Sequence, residues 1–282
     1  MFGGKTLITH NLIGQYYFKD KLLLQFNDMS SSERFGYEWD LHHEIIPDYE
    51  RQFRNWVYPL NETDFRDKDV MDVGCGMGRN SFWPARWEAK SVIAFDLDPR
   101  TVQRAGENLK NYKNVQVLQK SAYDMDWNNC LDIVFSIGVI HHLEYPREVI
   151  EHMVKALRPG GTILIWVYSY EGNEWIVRFI DPIRKMVTSK LSLPIVYFLS
   201  SFVSIPLWIF VKIFRGPSEY LKQLSKFSLC HIHGIVFDQL IPKVAKYWTK
   251  ENLHDLFSNM GLRQISIEMP PNKMGWTVIG RK

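Results

Sequence analysis

Val70-Met71-Asp72-Val73-Gly74-Cys75-Gly76-Met77-Gly78-Arg79-Asn80 decides how this chain folds. A short apolar run closes on an acid and a valine, and three glycines then stand at alternate positions. This is the pattern of a buried strand giving way to a helix. Gly74 and Gly76 lack a Cβ, so the chain can turn sharply there and a ligand can lie against bare backbone. A helix expected from about Arg79 would aim its unpaired N–H groups at that ligand. The alternate spacing differs from the Gly-x-Gly-x-x-Gly loop that cradles a pyrophosphate. Asp72 also carries the wrong charge to face a pyrophosphate and the right one to orient an ammonium group.

The runs that follow agree with this reading. About twenty residues on, Ser91-Val92-Ile93-Ala94-Phe95 ends in Asp96-Leu97-Asp98-Pro99. A carboxylate at the end of a second strand, at this distance, is suited to a ribose diol. A ligand with an amino-acid tail and a nucleoside head fits both carboxylates, and S-adenosylmethionine is such a ligand. Val115-Gln116-Val117-Leu118-Gln119 reads as a third strand and leads into Lys120-Ser121-Ala122. Residues 131–139 read as a fourth and end in His141-His142-Leu143. A helical stretch over 146–157 meets Arg158-Pro159-Gly160-Gly161 and a fifth strand over 162–167.

This order resembles the class I S-adenosylmethionine-dependent methyltransferases over roughly residues 68–170. The resemblance implies an α/β fold, a Rossmann-like seven-stranded sheet with one antiparallel strand, and S-adenosylmethionine as cofactor. It also implies that Cys75, Gly78, Leu97, Ala122, Ser136 and Ile137 join Asp72, Gly74, Gly76 and Asp96 around that cofactor. The chain departs from the family at Ser121, where an acid usually accepts the adenine amino group. A hydroxyl accepts that bond more weakly, and Asp124 or Asp126 stands near enough in sequence to compensate.

The tail supports the same family. Residues 249–260 place Leu253, Leu256, Phe257 and Met260 at helical spacing, with Gly261 as a stop signal. A strand over 262–268, a turn at Pro270-Pro271-Asn272-Lys273 and a strand over 274–279 follow. A closing hairpin resembles the end of the methyltransferase sheet and argues against a nicotinamide-dependent oxidoreductase, which continues with a parallel sixth strand.

Residues 171–248 are too long for a connection and predict an inserted helical lid. The organisation expected is a cap over 1–60, a cofactor-binding core over 61–170, the insertion over 171–248, and a helix and hairpin over 249–282 that complete the core. Within the insertion, residues 193–211 are nineteen residues without a charge, long enough to span a bilayer. A single crossing would separate 249–282 from the sheet they complete. Basic residues flank both ends (Arg184, Lys185, Lys190; Lys212, Arg215), and Pro194 and Pro206 are expected to break the stretch into shorter helices. From Arg178 to Lys226 there are eight Lys and Arg against two acids, so this window carries +6 and the rest of a +3 chain carries −3. Such a segment suits either a buried lid with a basic rim or a face resting on an anionic membrane surface. The basic residues do not interleave with aromatics along a groove, which argues against nucleic acid.

Three separated cysteines, Cys75, Cys130 and Cys230, suggest a reducing compartment, and Met1-Phe2-Gly3-Gly4-Lys5 lacks the pattern of a secretory signal, so a cytoplasmic protein is expected, peripheral at a membrane if the insertion rests on one. Ser30-Ser31-Ser32-Glu33 has the spacing of a capping box. The Phe35-Gly36-Tyr37-Glu38-Trp39 run after it resembles a segment that folds over the cofactor mouth, making Tyr37 and Trp39 candidate acceptor contacts. His231, His233, Asp238 and Gln239 are further candidates; His-x-His lacks a third ligand pattern, so no metal is expected. Methyl transfer needs mainly positioning, and a base only if the acceptor loses a proton. His141 and His142, just past the fourth strand, are the candidate bases. The expected activity is methyl transfer to an O, N or C atom of a small or lipid-linked acceptor. The alternatives are a non-catalytic S-adenosylmethionine-binding scaffold and an RNA methyltransferase.

Overall fold

The computed structural model describes residues 29–214, 219–270 and 274–282. The expectations for residues 1–5, for Arg215 and for the turn at 271–273 lie outside the described residues. The elements run α1 (Ser31–Leu41), α2 (Asp48–Val57), α3 (Glu62–Phe65), β1 (Asp69–Val73), α4 (Phe82–Arg86), β2 (Ser91–Asp96), α5 (Pro99–Leu109), β3 (Val115–Gln119), β4 (Leu131–Ile137), α6 (Pro146–Ala156) and β5 (Leu157–Val167). The insertion supplies α7 (Asp181–Met186), α8 (Leu193–Phe214), α9 (Glu219–Leu224) and α10 (Leu229–Leu240), and the chain closes with α11 (Lys250–Phe257), β6 (Arg263–Glu268) and β7 (Trp276–Arg281).

The seven strands form one sheet in the order β3-β2-β1-β4-β5-β7-β6. β1 to β5 are parallel, and β7 runs antiparallel between β5 and β6. Each central strand sends alternate residues into two cores. Met71, Val73, Val134, Ile163 and Ile165 pack on one face with Ile150 and Met153 of α6 and Leu253 and Phe257 of α11. Val70, Ile133, Phe135, Leu164 and Trp166 pack on the other with Phe53 and Trp56 of α2 and Phe65 of α3. Covering both faces explains why these strands read as continuous apolar runs. The strand order reverses between β1 and β4, and the crevice at their carboxyl ends is where such sheets bind ligands.

The helix after the glycine loop starts at Phe82, later than Arg79. Gly78 has a φ of 86°, outside the helical region, so the turns continue to Ser81. The N-terminal segment forms its capping box, with Glu33 N–H donating to Ser30 Oγ (3.3 Å) and Ser30 N–H to Glu33 Oε2 (2.6 Å). α1 sits directly on the α5 end of the sheet: Arg100 donates to the Glu33 carbonyl at 2.6 Å, and Arg104 pairs with Asp40 at 2.9 Å. A Cβ on Gly36 would stand 2.2 Å from the Asp98 carboxyl, so only glycine allows this approach. Fully buried Arg34 donates to the carbonyls of Ile241 (2.6 Å) and Thr188 (2.9 Å) and so ties α1 to the insertion.

The prolines do not divide the apolar stretch. α8 is one helix of 22 residues. Pro194 falls in its first turn, where the missing N–H has no intrahelical partner to lose. Pro206 lies inside the helix on its exposed side, so the carbonyl it leaves unbonded is not sealed in the core.

Candidate functional site

At the switch point the chain encloses a cavity of about 280 Å³. One end is built by the loops after β1, β2, β3 and β4, and Gly74, Cys75, Gly76, Asp96, Leu97, Ser121, Ala122 and Ile137 all line it. Gly74 (φ 75°) and Gly76 (φ 55°) adopt the left-handed conformation that glycine tolerates. A Cβ on Gly76 would come within 3.3 Å of Trp39 Nε1, so the bare backbone is what keeps this passage open.

Asp96 is held by three backbone donors: Gly76 N–H to Oδ2 at 3.0 Å, and Leu97 and Asp98 N–H to Oδ1 at 2.8 and 3.3 Å. Burial raises its pKa, and these donors offset part of the rise. Asp72 is fully buried behind the loop and accepts from Ser81 Oγ at 2.6 Å through Oδ2. Its Oδ1 has no hydrogen-bond partner. Burial pushes the Asp72 pKa up to about 7, with Ser81 pulling against it.

The other end of the cavity comes from the cap and the insertion. Trp39 of α1, Trp56, Trp166, Tyr168 and Tyr247 give it aromatic walls, and Asp238 and Gln239 of α10 add polar groups. Gln239 Nε2 donates to the Tyr168 hydroxyl at 3.1 Å. Burial raises Asp238 to about 6, and buried Glu38, which also feels Asp238, is raised well above the usual carboxylate range. Arg79 lies among the rings of Trp39, Tyr49 and Trp56, at 4.8, 5.2 and 5.3 Å. A second cavity of about 230 Å³ shares Trp39, Arg79 and Asp238 and is lined by His231.

The two histidines past β4 separate. His142 lines the cavity, with Nδ1 2.7 Å from the Val244 carbonyl and Nε2 unpartnered. Burial lowers it to about 4. His141 is fully buried against Tyr168, ring centroids 3.9 Å apart, outside the lining, and burial holds it well below the usual imidazole range.

Five other expected residues stand apart from the lining: Asp72, buried behind the loop, and four more. A Cβ on Gly78 would lie 2.9 Å from Leu109 Cδ1 and 3.2 Å from Ala105 Cα, so Gly78 serves the packing of α5 on the loop. Ser136 spends its hydroxyl on the Val73 carbonyl at 2.8 Å. Tyr37 packs edge-on to Phe237 in the contact between cap and insertion, and His233 bonds Ser204 Oγ at 2.9 Å within the insertion. Asp124 is exposed, and Asp126 is exposed and paired with Lys120 at 2.9 Å, so neither stands in for an acid at Ser121. The sequence reading named Trp39, but Arg79 and the other aromatic walls, Trp56, Trp166, Tyr168 and Tyr247, escaped it. Arg79 directly follows the glycine loop, which is a usable signal, but Tyr168 and Tyr247 carry none.

Residues 71–165 match the family model described as a methyltransferase domain. The chain is 31% identical over 116 residues to the tRNA U34 carboxymethyltransferase of Helicobacter acinonychis, a match covering 39% of this chain and 44% of that protein. It is 27% identical over 134 residues to the mitochondrial ubiquinone biosynthesis O-methyltransferase of Dictyostelium discoideum, over 40% of this chain and 41% of that one. The chain thus spans less than half the length of either relative. In fold it is similar to human N-acetylserotonin methyltransferase solved with S-adenosylmethionine, at a TM-score of 0.52 and 15% identity over 90% of this chain and 56% of that one. Residues 71–165 thus match a methyltransferase domain, on a sheet that has the fold of a methyltransferase solved with S-adenosylmethionine.

Proposed function

We propose that this protein transfers a methyl group to a small or lipid-linked organic acceptor that presents a flat, largely apolar ring. The observation that carries this reading is one cavity with two kinds of wall: the glycine loop and Asp96 at one end, insertion side chains and stacked aromatics at the other. The residues present suit the cofactor. The unpartnered Asp72 Oδ1 is a buried acceptor waiting for a donor, as an ammonium group would supply. Asp96 would hold the ribose hydroxyls, and Ser121 and Ala122 would flank the adenine. When bound, S-adenosylmethionine supplies a methyl carbon activated by a positive sulfur.

The chain's own residues then have three tasks. Trp39, Trp166 and Tyr168 would exclude water and orient the acceptor ring, and positioning supplies most of the advantage in such a displacement. His142 is in its neutral, proton-accepting form at neutral pH, and its Nε2 is unengaged. Asp238, near 6, is better matched in basicity to an acceptor that must lose a proton near neutrality.

The tRNA relatives raise a second reading, an RNA acceptor. Asp238 in the cavity would disfavour the entry of a phosphate group, which favours the small acceptor. The test is release of S-adenosylhomocysteine from the purified protein with hydroxylated and aminated ring compounds, their prenylated forms, and bulk tRNA. Saturable release with ring compounds is expected. Release with tRNA alone refutes the proposal, and calorimetric S-adenosylhomocysteine binding with no release from any of them favours a non-catalytic scaffold.

A further inference from the structure

α8 is built inside out for a soluble helix. Its buried stripe is Leu193, Val196, Ser200, Ser204 and Val211, so the serine hydroxyls at 200 and 204 face the protein. Both are satisfied there, Ser200 Oγ by the Val196 carbonyl (2.8 Å) and Ser204 Oγ by His233 Nδ1 (2.9 Å). The opposite side presents Ile195, Phe198, Phe202, Ile209, Ile213 and Phe214 outward, with Phe198 63% and Phe202 67% exposed. Only 22% of the most apolar window is buried, although the helix is long and apolar enough to cross a membrane. A helix core to a soluble fold would turn its phenylalanines in and its serines out. Monomers rarely leave a contiguous apolar face of this size in water.

We infer that this face of α8 docks on the surface of an anionic lipid bilayer, with the helix lying in the interface plane. Charge selects the occupant. Arg178, Lys185 and Lys190 precede the helix and Lys212 lies in its last turn, all exposed. Trp175, Phe179 and Met186, in the approach to α8, are exposed too. Cations at the two ends of an exposed apolar helix match a negatively charged headgroup layer with an acyl boundary beneath it. A second protein copy would bring the same positive charge against itself. Crossing is opposed by the inner stripe, which packs lengthwise on α10 through Phe237 and Ile241, and by the return of the chain to β6 and β7 in the same sheet. The inference does not depend on which acceptor is methylated, or on whether any is.

Co-sedimentation tests it, using the full chain with vesicles of phosphatidylglycerol and phosphatidylcholine in equal parts and with pure phosphatidylcholine. The protein should pellet with the anionic vesicles and be released as salt shortens the Debye length. Phe198→Ser with Phe202→Ser should lower the partition coefficient about tenfold or more. Arg178→Glu with Lys190→Glu should lower binding to anionic vesicles and flatten its salt dependence. These side chains are exposed, so circular dichroism and the thermal midpoint should stay at wild-type values and report on folding independently. Failure of the folded wild type to pellet overturns the inference, as does wild-type binding by either double variant. A dimer dissolved by the phenylalanine changes, without vesicle binding, assigns the face to self-association instead. Alkali-resistant insertion with protease sites on opposite sides of the bilayer overturns it in favour of a crossing.

Discussion

Asp72→Asn keeps the shape of the residue and removes its charge, and the structure sets what should follow. The carboxylate is fully buried, Ser81 occupies one oxygen and the other has no partner. With a pKa near 7, about three quarters of the wild-type protein is ionised at about pH 7.5 and about one tenth at about pH 6. If ionised Asp72 receives the ligand's ammonium, S-adenosylhomocysteine affinity should fall roughly eightfold between those pH values in the wild type. The variant should bind about ten- to a hundredfold more weakly at the higher pH, the worth of a hydrogen bond to a charged group, and should lose this pH dependence. Stability moves the other way. Because folding raises this pKa from 3.8 to about 7, the folded state holds the proton more tightly, and wild-type stability falls as pH rises through that window. A rise of that size corresponds to roughly 4 kcal/mol at most, which the amide should recover above about pH 7. Calorimetry and thermal melts across the window read both effects. Equal affinities in the two proteins, or identical pH profiles, would refute the assignment of Asp72 to the ammonium group.

Four further substitutions have expected outcomes. Asp96→Ala removes the carboxylate held over the cavity by Gly76 and Leu97 and should weaken cofactor binding about tenfold or more; unchanged calorimetric affinity rules Asp96 out as the ribose ligand. His142→Ala should leave S-adenosylhomocysteine binding intact and slow turnover roughly 10²- to 10⁴-fold if the acceptor's proton passes to it, whereas Asp238→Asn should instead abolish a pH–rate inflection near 6 if that carboxylate is the base. His141→Ala should chiefly lower the melting temperature. Both histidines titrate below their unfolded values, so the stability tied to their neutral forms is present above about pH 6.5 and lost on acidification, for His142 as pH falls through about 4.

The sheet and the cofactor end of the cavity were legible in the amino-acid order alone, because the signals there are local. The apolar runs of β1, β4 and β5 report strands covered on both faces, and a glycine reports a backbone free to turn left, whatever lies far away in the chain. The bounds of β3 followed on those grounds; Asp96 and Ser121 line the cavity, whereas Asp72 lies buried behind the loop. Tertiary contacts settled the rest, because the deciding partners are remote in sequence. Trp39 and Asp238 line one cavity across 199 residues of sequence, and no periodicity announces that meeting. Gly78 looked like the other loop glycines until the closeness of Ala105 and Leu109 gave it a packing role. His141 and His142 are chemically identical neighbours, and only the placement of Tyr168 and Val244 buries one and leaves the other at the cavity. The apolar run of α8 carried hydrophobicity without direction. Its inner side packs Leu193 and Val196 on Phe237 and Ile241, and Val211 on Leu224 and Ile232, with Ser204 bonded to His233, and this arrangement leaves Phe198 and Phe202 outward.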